Sequence, residues 1–410
     1  MRLPALRHAD FRNYLGGSFV SNVGNSVQAW AIAWHVYQIT QSSLMVGMLG
    51  LVRVGPLLVF SLFGGVVADQ VDRRNVLLLT QSGLALVSLT VFALTCTDMA
   101  TVGALYSIVA VQSIARAFDG PARQSMMVGL VPRKDFPNAA SLNGMAWRLS
   151  DVLGPMIAGV MIAWAGIGGL SGLTVCYLFN FISFAAVLFA IWRLPSRGIP
   201  SMVEPAKSLS QVWGRIREGL AFVNRTPVLR SAMWIDFWAT LLSGAEALLP
   251  AFATTLLNAG PEGYGILAAS TGLGALLAAG AMAWLPTVYR QGRAVVLMIG
   301  AYGLFTICFG LSQSLWTAAL SLAAVGASDM VSTVLRQTIR QLATPDELRG
   351  RMSATSSLFH ISGPQLGDFE AGAVASIWGE RAAIVAGGAL CLLVATHWSR
   401  AKALVEYEHR

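Results

Sequence analysis

Long apolar runs recur along the whole chain and constrain its fold more than any other feature. Twelve helical segments can be marked in its 410 residues, at 13–37, 44–68, 76–96, 101–125, 139–165, 169–192, 229–257, 263–286, 294–312, 314–338, 353–377 and 381–399. A helix needs about 20 residues to span the hydrocarbon core of a bilayer. Charged residues make up only 12% of the chain, against roughly 25% in soluble domains. The sequence therefore predicts an all-α membrane protein with twelve transmembrane helices.

Basic residues lie mainly in alternate connections between these segments. The connections after segments 2, 4, 8 and 10 contain Arg73, Arg74, Arg133, Lys134, Arg290, Arg293, Arg349 and Arg351. The opposite set of connections contains one basic residue, Arg381. Because cytoplasmic loops carry an excess of Lys and Arg, we expect both termini in the cytoplasm. The net charge of +8 then reflects membrane orientation, and we expect no nucleic-acid partner.

The two halves of the chain repeat the same short motifs in the same order. Arg123-Gln124-Ser125 in segment 4 matches Arg336-Gln337-Thr338 in segment 10, and Gly154-Pro155 matches Gly363-Pro364. We therefore predict two six-helix bundles, residues 1–193 and 228–410, joined by a cytoplasmic linker at 194–227. The second part of the linker has an amphipathic pattern. It predicts a helix that either lies on the cytoplasmic leaflet or packs on the ends of the other helices.

The connection after segment 2 carries the most specific motif, GGVVADQVDRR. It resembles the signature that transporters of the major facilitator superfamily carry between helices 2 and 3. Four positions of that signature are kept: Gly65, Asp69, Arg73 and Arg74. Gln70 and Asp72 depart from it, and Gly129 stands where relatives often have an acidic partner. The resemblance implies that the motif forms part of the gate between the halves; anchoring of the orientation alone is the alternative.

Further stretches resemble the bacterial exporter branch of this superfamily, which includes enterobactin (siderophore) and drug exporters. They are FDGPAR at 118–123, REGLAFVNRTPVLR in the linker region and GPQLGDFEAG at 363–372. The resemblance implies proton-driven export of small amphiphilic molecules across the bacterial cytoplasmic membrane by alternating access. Gly154, Pro155 and Gly159 resemble the last part of the antiporter signature of helix 5, where proline and glycine permit close helix approach.

Ionisable and polar residues inside the apolar segments are candidates for ion coupling and for the substrate cavity. A charge near the bilayer centre costs roughly 2.5–3.5 kcal/mol, so each one suggests a function. These candidates are Glu246, Asp236, Asp329, Arg116, Asp119, Gln28 and Asn25. Burial disfavours the charged form of a carboxylate, and Glu246 is our first choice as proton carrier, followed by Asp236 and Asp329. Arg116 either faces Asp329 in the cavity or pairs with Asp119 on its own helix.

Other residues in the apolar segments have two interpretations each. Helices 2 and 11 meet between the halves in this superfamily, so Arg53 is expected to pair with Asp368 or Glu370. Aromatic residues in segments 1 and 7 are expected to stack on cargo or to anchor the helices at the membrane interface. They are Trp30, Trp34, Tyr37, Trp234, Phe237 and Trp238.

Motifs for other classes of chemistry are missing from the sequence. The four cysteines are isolated in apolar runs, so we expect neither a disulfide framework nor a metal site. None of the three lysines follows a glycine-rich loop, which excludes a P-loop, and we expect no cofactor and no enzyme activity. A proton-driven exporter, working as a monomer in the lipid bilayer, is the leading hypothesis. The alternatives are a proton-coupled uptake permease for a small nutrient and a non-transporting membrane sensor or scaffold.

Overall fold

The protein is helical throughout the part that its structure describes. The computed structural model describes residues 3–70, 72–164, 170–194, 209–242, 244–284, 288–345 and 348–408, and these contain no β-strand. The helices are α1 (Ala9–Thr40), α2 (Ser43–Gln70), α3 (Arg73–Cys96), α4 (Val102–Leu130), α5 (Phe136–Ala163), α6 (Gly172–Arg193), α7 (Leu209–Arg225), α8 (Pro227–Leu242), α9 (Leu249–Ala251), α10 (Gly260–Trp284), α11 (Gln291–Leu311), α12 (Leu315–Leu342), α13 (Arg349–Trp378), α14 (Glu380–Trp398) and α15 (Lys402–Val405).

Nine helical stretches among the described residues are long and apolar enough to cross a membrane. The helices α1, α4 and α13 are outside this set, although they have 32, 29 and 30 residues. At about 1.5 Å per residue each is longer than the hydrocarbon core of a bilayer. In α1 and α4 the hydropathy is lower because these helices carry many of the chain's polar and charged residues, and α13 includes residues whose side chains lie outside the described part. The predicted all-α membrane fold is confirmed, and the helices are consistent with twelve spans.

Side-chain caps begin several of the helices at positions that the sequence pattern suggests. Thr101 accepts a hydrogen bond from the Ala104 backbone N–H at the start of α4, and Ser314 accepts one from Thr317 at the start of α12. Such caps satisfy amide groups that have no partner within the helix. The same number of positions separates Thr101 from Ser314 as separates Arg123 from Arg336. The internal repeat therefore extends to the helix starts.

Segment 7 is not the single helix that its apolar pattern predicted at 229–257. The helix α8 ends at Leu242, and a 3₁₀ turn (Glu246–Leu248), α9 and a π-helical turn (Phe252–Leu256) follow. Gly244 approaches the Gly367 backbone so closely that a Cβ there would lie 2.4 Å from its carbonyl carbon. Pro250 lacks the N–H that a continuing helix needs. These two residues explain why the prediction of one continuous helix was wrong.

The chain divides into two compact units. The first comprises Met1–Ile39 and Gly55–Val212, and the second comprises Thr40–Val54 and Trp213–Arg410. The first half of α2 thus belongs to the second unit. There Gly47 and Gly50 let α2 approach the α13 backbone, because a Cβ on either would lie within 2.5 Å of a carbonyl oxygen. The boundaries predicted from the sequence, 1–193, 194–227 and 228–410, stay a prediction.

Each unit has its own apolar core. In the first unit the core includes Leu77 and Leu84 of α3, which pack against Phe184 and Val187 of α6. In the second unit α8, α11, α12 and α14 contribute to a core that includes Ile235 and Ile299. Lipid tails are as apolar as these side chains, so inside a membrane close packing rather than the hydrophobic effect holds the helices of each unit together.

The amphipathic linker helix predicted from the sequence is α7. Its Val223 is 3% exposed and packs with Leu229, Met233 and Met352 of the second unit, whereas Arg217 and Glu218 are exposed. The end of α7 therefore packs against other helices, as in the second of the two interpretations. The Pro- and Ser-rich first part of the linker, residues 195–208, lies outside the described residues.

Candidate functional site

A buried ion pair between Asp236 and Arg336 lies in the second unit. Asp236 of α8 is 4% exposed and Arg336 of α12 is 1% exposed. The Arg336 Nη2 atom lies 2.7 Å from Asp236 Oδ1, and the other oxygen of Asp236 lies 3.8 Å from His360 Nδ1 on α13. Removing charges from water is costly unless they are paired. This cluster therefore links three helices through one carboxylate.

Residues one and two turns earlier on α12 place oxygen atoms around Arg336. Arg336 donates hydrogen bonds to Ser332 Oγ at 2.7 Å and to Thr333 Oγ1 at 2.9 Å. Asp329, one further turn away on the same face, lies 3.7 Å from Arg336 Nη2 and has a side chain 41% exposed. The structure thus brings two predicted residues, Asp236 and Asp329, to one arginine. Arg336 itself was predicted only as part of the internal repeat.

A second buried ion pair, between Asp119 and Arg123, lies in the first unit. Both residues belong to α4, where a spacing of four places them on one face. One oxygen of Asp119 pairs with Arg123 Nε, and the other accepts hydrogen bonds from Thr80 at 3.0 Å and Gln81 at 2.6 Å on α3. Arg123 also donates to Ser18 Oγ of α1 at 3.3 Å. Asp119 is therefore fully hydrogen-bonded inside its own unit.

The gating motif contributes two helix caps to the first unit. Asp72 accepts a hydrogen bond from the Arg74 backbone N–H at 2.9 Å and begins α3. The Arg74 side chain donates to the carbonyl oxygens of Ile191 and Trp192 at 3.2 and 2.5 Å. These carbonyls end α6, where a cation is favourable. Asp72, which departs from the family pattern, thus has a structural role.

The structure describes the other residues of the motif less fully. Arg73 is half-buried at the start of α3. Gly65 and Asp69 lie in the last turns of α2, and the side chains of residues 62–71 are outside the described part. Their predicted gating role stays a prediction.

Glu246, our first choice as proton carrier, is exposed in the 3₁₀ turn that follows α8. Gln28, another of the residues predicted for coupling or the cavity, is 1% exposed. The side-chain amide oxygen of Gln28 accepts hydrogen bonds from Ser88 at 2.5 Å and Asn180 at 2.8 Å. Gln28 therefore links α1, α3 and α6, which is a packing role.

Asn25 and Arg116 occupy more open positions in the first unit. The Asn25 amide donates to Ser21 Oγ on the same helix at 3.5 Å. Arg116 is exposed on α4. Asp119 and Arg123, one and two turns further along the same helix, are largely buried.

Arg53 and Asp368 are neighbours in the second unit, where the first half of α2 packs on α13. The two interact electrostatically, and the Asp368 carboxylate accepts a hydrogen bond from the Ala247 backbone N–H. Glu370, the alternative partner, is half-buried two positions further along α13. The Asp368 carboxylate thus connects α2 with the 3₁₀ turn after α8.

The glycine and proline predicted to mediate helix packing are buried. Gly154, Pro155 and Gly159 lie inside α5. A Cβ on Gly154 would lie 2.3 Å from the Cβ of Ser26 on α1. A residue without a side chain is therefore needed where α5 crosses α1.

Aromatic rings cover α8 and α13 beside the buried pair in the second unit. Trp234 and Trp238 stack with ring centroids 6.3 Å apart, and each is 37% exposed. Phe237 and Phe359 contact Trp234 edge to face at 5.8 and 5.6 Å. In contrast, Trp34 and Tyr37 on α1 are both 5% exposed.

Within the described residues, no group of three or more His, Cys, Asp or Glu side chains could hold a metal ion.

The known sequences that this chain resembles include membrane exporters. Residues 2–409 match the model of the transmembrane secretion effector family, MFS_3. The enterobactin exporter EntS of Salmonella choleraesuis (strain SC-B67) is 24% identical over 365 residues, which are 88% of this chain and 84% of that protein. EntS of Shigella boydii serotype 18 (strain CDC 3083-94 / BS512) is 25% identical over 364 residues, with the same coverage.

Solved structures of transporters share the fold of this chain. A bacterial homologue of the human lysosomal transporter Spinster, in an inward-facing and unoccupied conformation, superposes with a TM-score of 0.74 at 14% identity, covering 100% of both chains. The nucleoside transporter NupG (D323A mutant) gives 0.72 at 11% identity, covering 96% of this chain and 99% of that one. The predicted major facilitator fold is confirmed, and the protein is a transporter and not an enzyme. With its match over nearly the whole sequence, the chain belongs to the transmembrane secretion effector family of the major facilitator superfamily.

Proposed function

We propose that the protein is a proton-driven exporter of small amphiphilic molecules, of the drug or siderophore type, in the bacterial cytoplasmic membrane. It works by alternating access, as a monomer with both termini in the cytoplasm. The direction of transport is supported by relatives described as enterobactin exporters, which match 88% of the chain. Residues of the second unit support protons as the coupling ion and an amphiphilic cargo.

The observation that carries this proposal is the buried pair of Asp236 and Arg336. Asp236 lies in the helical stretch Pro227–Leu256 and Arg336 in Leu315–Leu342, and both stretches are long and apolar enough to span a membrane. Replacing a buried ion pair by apolar residues of similar size is often neutral or stabilising, so packing alone gives little reason to keep one. Intramembrane charges of this kind mark ion and substrate pathways. A sensor or scaffold gains nothing evident from them.

The exposed tryptophans support an amphiphilic cargo. Trp234 and Trp238 present two partly exposed indole rings, and Trp234 contacts Phe359, the residue before His360, whose side chain is 51% exposed. Ionisable side chains within membrane helices face the bundle interior or a water-filled cavity rather than lipid. On a helix that faces such a cavity, these rings can stack on an apolar group of the cargo while its polar groups stay hydrated.

Accumulation in cells tests the proposal directly. Ethidium, a panel of antibiotics and a set of siderophores are measured in cells with and without the protein, each with and without a protonophore. We expect lower accumulation of at least one compound when the protein is present, and loss of that difference with the protonophore. Higher accumulation with the protein would indicate an uptake permease. No difference across the panel would support a sensor or scaffold.

A further inference from the structure

Two arginines lie together in the first unit, where α6 ends beside the start of α3. The Arg74 side chain of α3 donates hydrogen bonds to the carbonyl oxygens of Ile191 and Trp192. Arg193, the last residue of α6, is exposed, and its Cζ atom lies 4.4 Å from the centre of the Phe189 ring. The hydrogen bonds of Arg74 therefore place one guanidinium group beside the stretch of backbone that carries the other.

In the part of the chain that the structure describes, neither guanidinium group has a carboxylate as partner. The ion pairs found there involve other residues. Asp72 is the nearest acid in sequence, and its carboxylate accepts a hydrogen bond from the Arg74 backbone N–H. Arg74 contacts the two carbonyls through Nε and Nη2, and none of the described residues accepts a hydrogen bond from its Nη1. Both arginines can thus donate to an anion from outside the described chain.

The corresponding end of the second unit has an anion of its own. There α11 and α14 take the places that α3 and α6 have in the repeat. Arg290, immediately before α11, pairs with Glu408 at 3.3 Å. The C-terminal segment brings this carboxylate into place, since Leu404 is fully buried and the Tyr407 carbonyl accepts a hydrogen bond from the Gly292 backbone N–H. In one half of the repeat, the chain itself thus supplies an anion to a basic helix end.

Exposed apolar side chains lead along α6 to the two arginines. Trp192 and Phe189 are both more than half exposed, and their rings stack with centroids 6.5 Å apart. Ile182 is also exposed, and its spacing of seven positions from Phe189 keeps both on one side of the helix. Tryptophan beside arginine at the end of an apolar stripe is typical of the interface between hydrocarbon and headgroups. The acyl chains of a lipid can therefore pack along α6 while its headgroup reaches the arginines.

We propose that this end of the first unit binds an anionic phospholipid. The lipid phosphate accepts hydrogen bonds from Arg193 and from Nη1 of Arg74, since a planar guanidinium group matches the oxygens of a phosphate. The Phe189 ring holds the Arg193 guanidinium group in place, and Trp192 lies at the level of the headgroups. With the orientation proposed above, the lipid belongs to the cytoplasmic leaflet, where basic sites between membrane helices bind anionic headgroups. Lipid binding here requires neither the proposed cargo nor the proposed coupling ion.

Native mass spectrometry of the purified full chain in a neutral detergent measures the binding directly. The protein is titrated with phosphatidylglycerol, which is anionic, and with phosphatidylcholine, which has the same phosphate but no net charge. We expect phosphatidylglycerol to bind about fivefold more tightly or better, in line with the attraction of a basic residue to anionic lipid. An excess of inorganic phosphate should not displace it, because free phosphate lacks the acyl chains. Equal binding of the two lipids, or displacement by inorganic phosphate, would overturn the proposal.

Arg193→Gln tests the site by a change at an exposed residue. It leaves the contact of Arg74 with α6 intact, so we expect wild-type stability together with about fivefold or greater loss of affinity for phosphatidylglycerol. The matched control is Lys134→Gln, which removes one charge from an exposed residue between α4 and α5 of the same unit. The control should bind the lipid as the wild type does. Unchanged binding in Arg193→Gln, or equal losses in both variants, would overturn the assignment to this end of α6.

Photochemical crosslinking locates the lipid without any variant. Phosphatidylglycerol with a photoreactive group near its headgroup is added to the wild type in lipid nanodiscs, and the modified peptides are identified after irradiation. We expect the modification to concentrate in the last two turns of α6, which end at Arg193, and to decrease when unlabelled phosphatidylglycerol competes. Modification spread evenly over the helix ends of both units would show general attraction to the membrane surface and would contradict a defined site.

Discussion

Replacing Asp119 by leucine should destabilise the first unit strongly. The side chains of Arg123 and Asp119 are 12% and 10% exposed. Removing one partner of a buried pair costs about 3–5 kcal/mol, because the remaining charge is left uncompensated. Gln81 also loses its acceptor, which adds about 1–3 kcal/mol; Thr80 keeps a hydrogen bond to the Leu77 carbonyl. The total approaches the whole stability of a typical domain, about 5–15 kcal/mol.

The double variant Asp119→Leu/Arg123→Met separates the charge from the packing. It has no uncompensated charge, so only the cost at Gln81 remains, about 1–3 kcal/mol. We therefore expect the double variant to be more stable than the single one by about 3–5 kcal/mol. The free energy of unfolding is measured by SDS titration in detergent micelles, followed by tryptophan fluorescence.

An exposed carboxyl in the same unit provides the control. Asp151 on α5 is exposed and interacts with Arg148, so Asp151→Leu should change the free energy of unfolding by about 0–1 kcal/mol. The reasoning fails if Asp119→Leu is no more harmful than this control. It also fails if the double variant is less stable than Asp119→Leu.

Four further variants test other contacts. Gly326→Leu should destabilise by about 1–3 kcal/mol, because a Cβ there would lie 1.9 Å from an α10 carbonyl oxygen; Gly280→Leu, with open space around it, is the control in the same titration. Arg74→Ala removes the cation at the end of α6 and should cost about 0.3–1 kcal/mol in the same titration. Trp234→Ala should raise the KM for ethidium about 2- to 10-fold, in line with the energy of one aromatic contact. Arg116→Ala should reduce transport while the free energy of unfolding stays within about 0.5 kcal/mol, because Arg116 is exposed.

Local patterns predicted the helices and their repeat well. Apolar runs of the right length marked every long helix, because the bilayer forces each span to satisfy its backbone hydrogen bonds internally. The same patterns missed the end of α8 at Leu242. A glycine's approach to a distant backbone determines that break, and hydropathy does not report such an approach.

The candidate site was predicted only in part. Asp236 and Asp329 were singled out because charges are rare in apolar segments, but their common partner Arg336 was treated only as a repeat marker. His360 was not considered a site residue at all. One pattern in the sequence could have predicted the role of Arg336. Each half repeats the same arginine motif, and a repeated charge in a membrane segment needs a repeated counter-charge.

The sequence alone is enough to predict an all-helical membrane transporter with two repeated halves. Those properties follow from hydropathy, charge distribution and motif order, each of which acts within a short stretch of chain. Which carboxylate neutralises which arginine depends on how the helices pack in three dimensions. Arg123 pairs with a carboxylate on its own helix, whereas Arg336 lies 2.7 Å from Asp236, one hundred positions away, and 3.7 Å from Asp329 on its own helix. The reason is physical: the rotation of each packed helix about its axis determines which side chains meet, and neighbours in packing rather than in sequence determine that rotation.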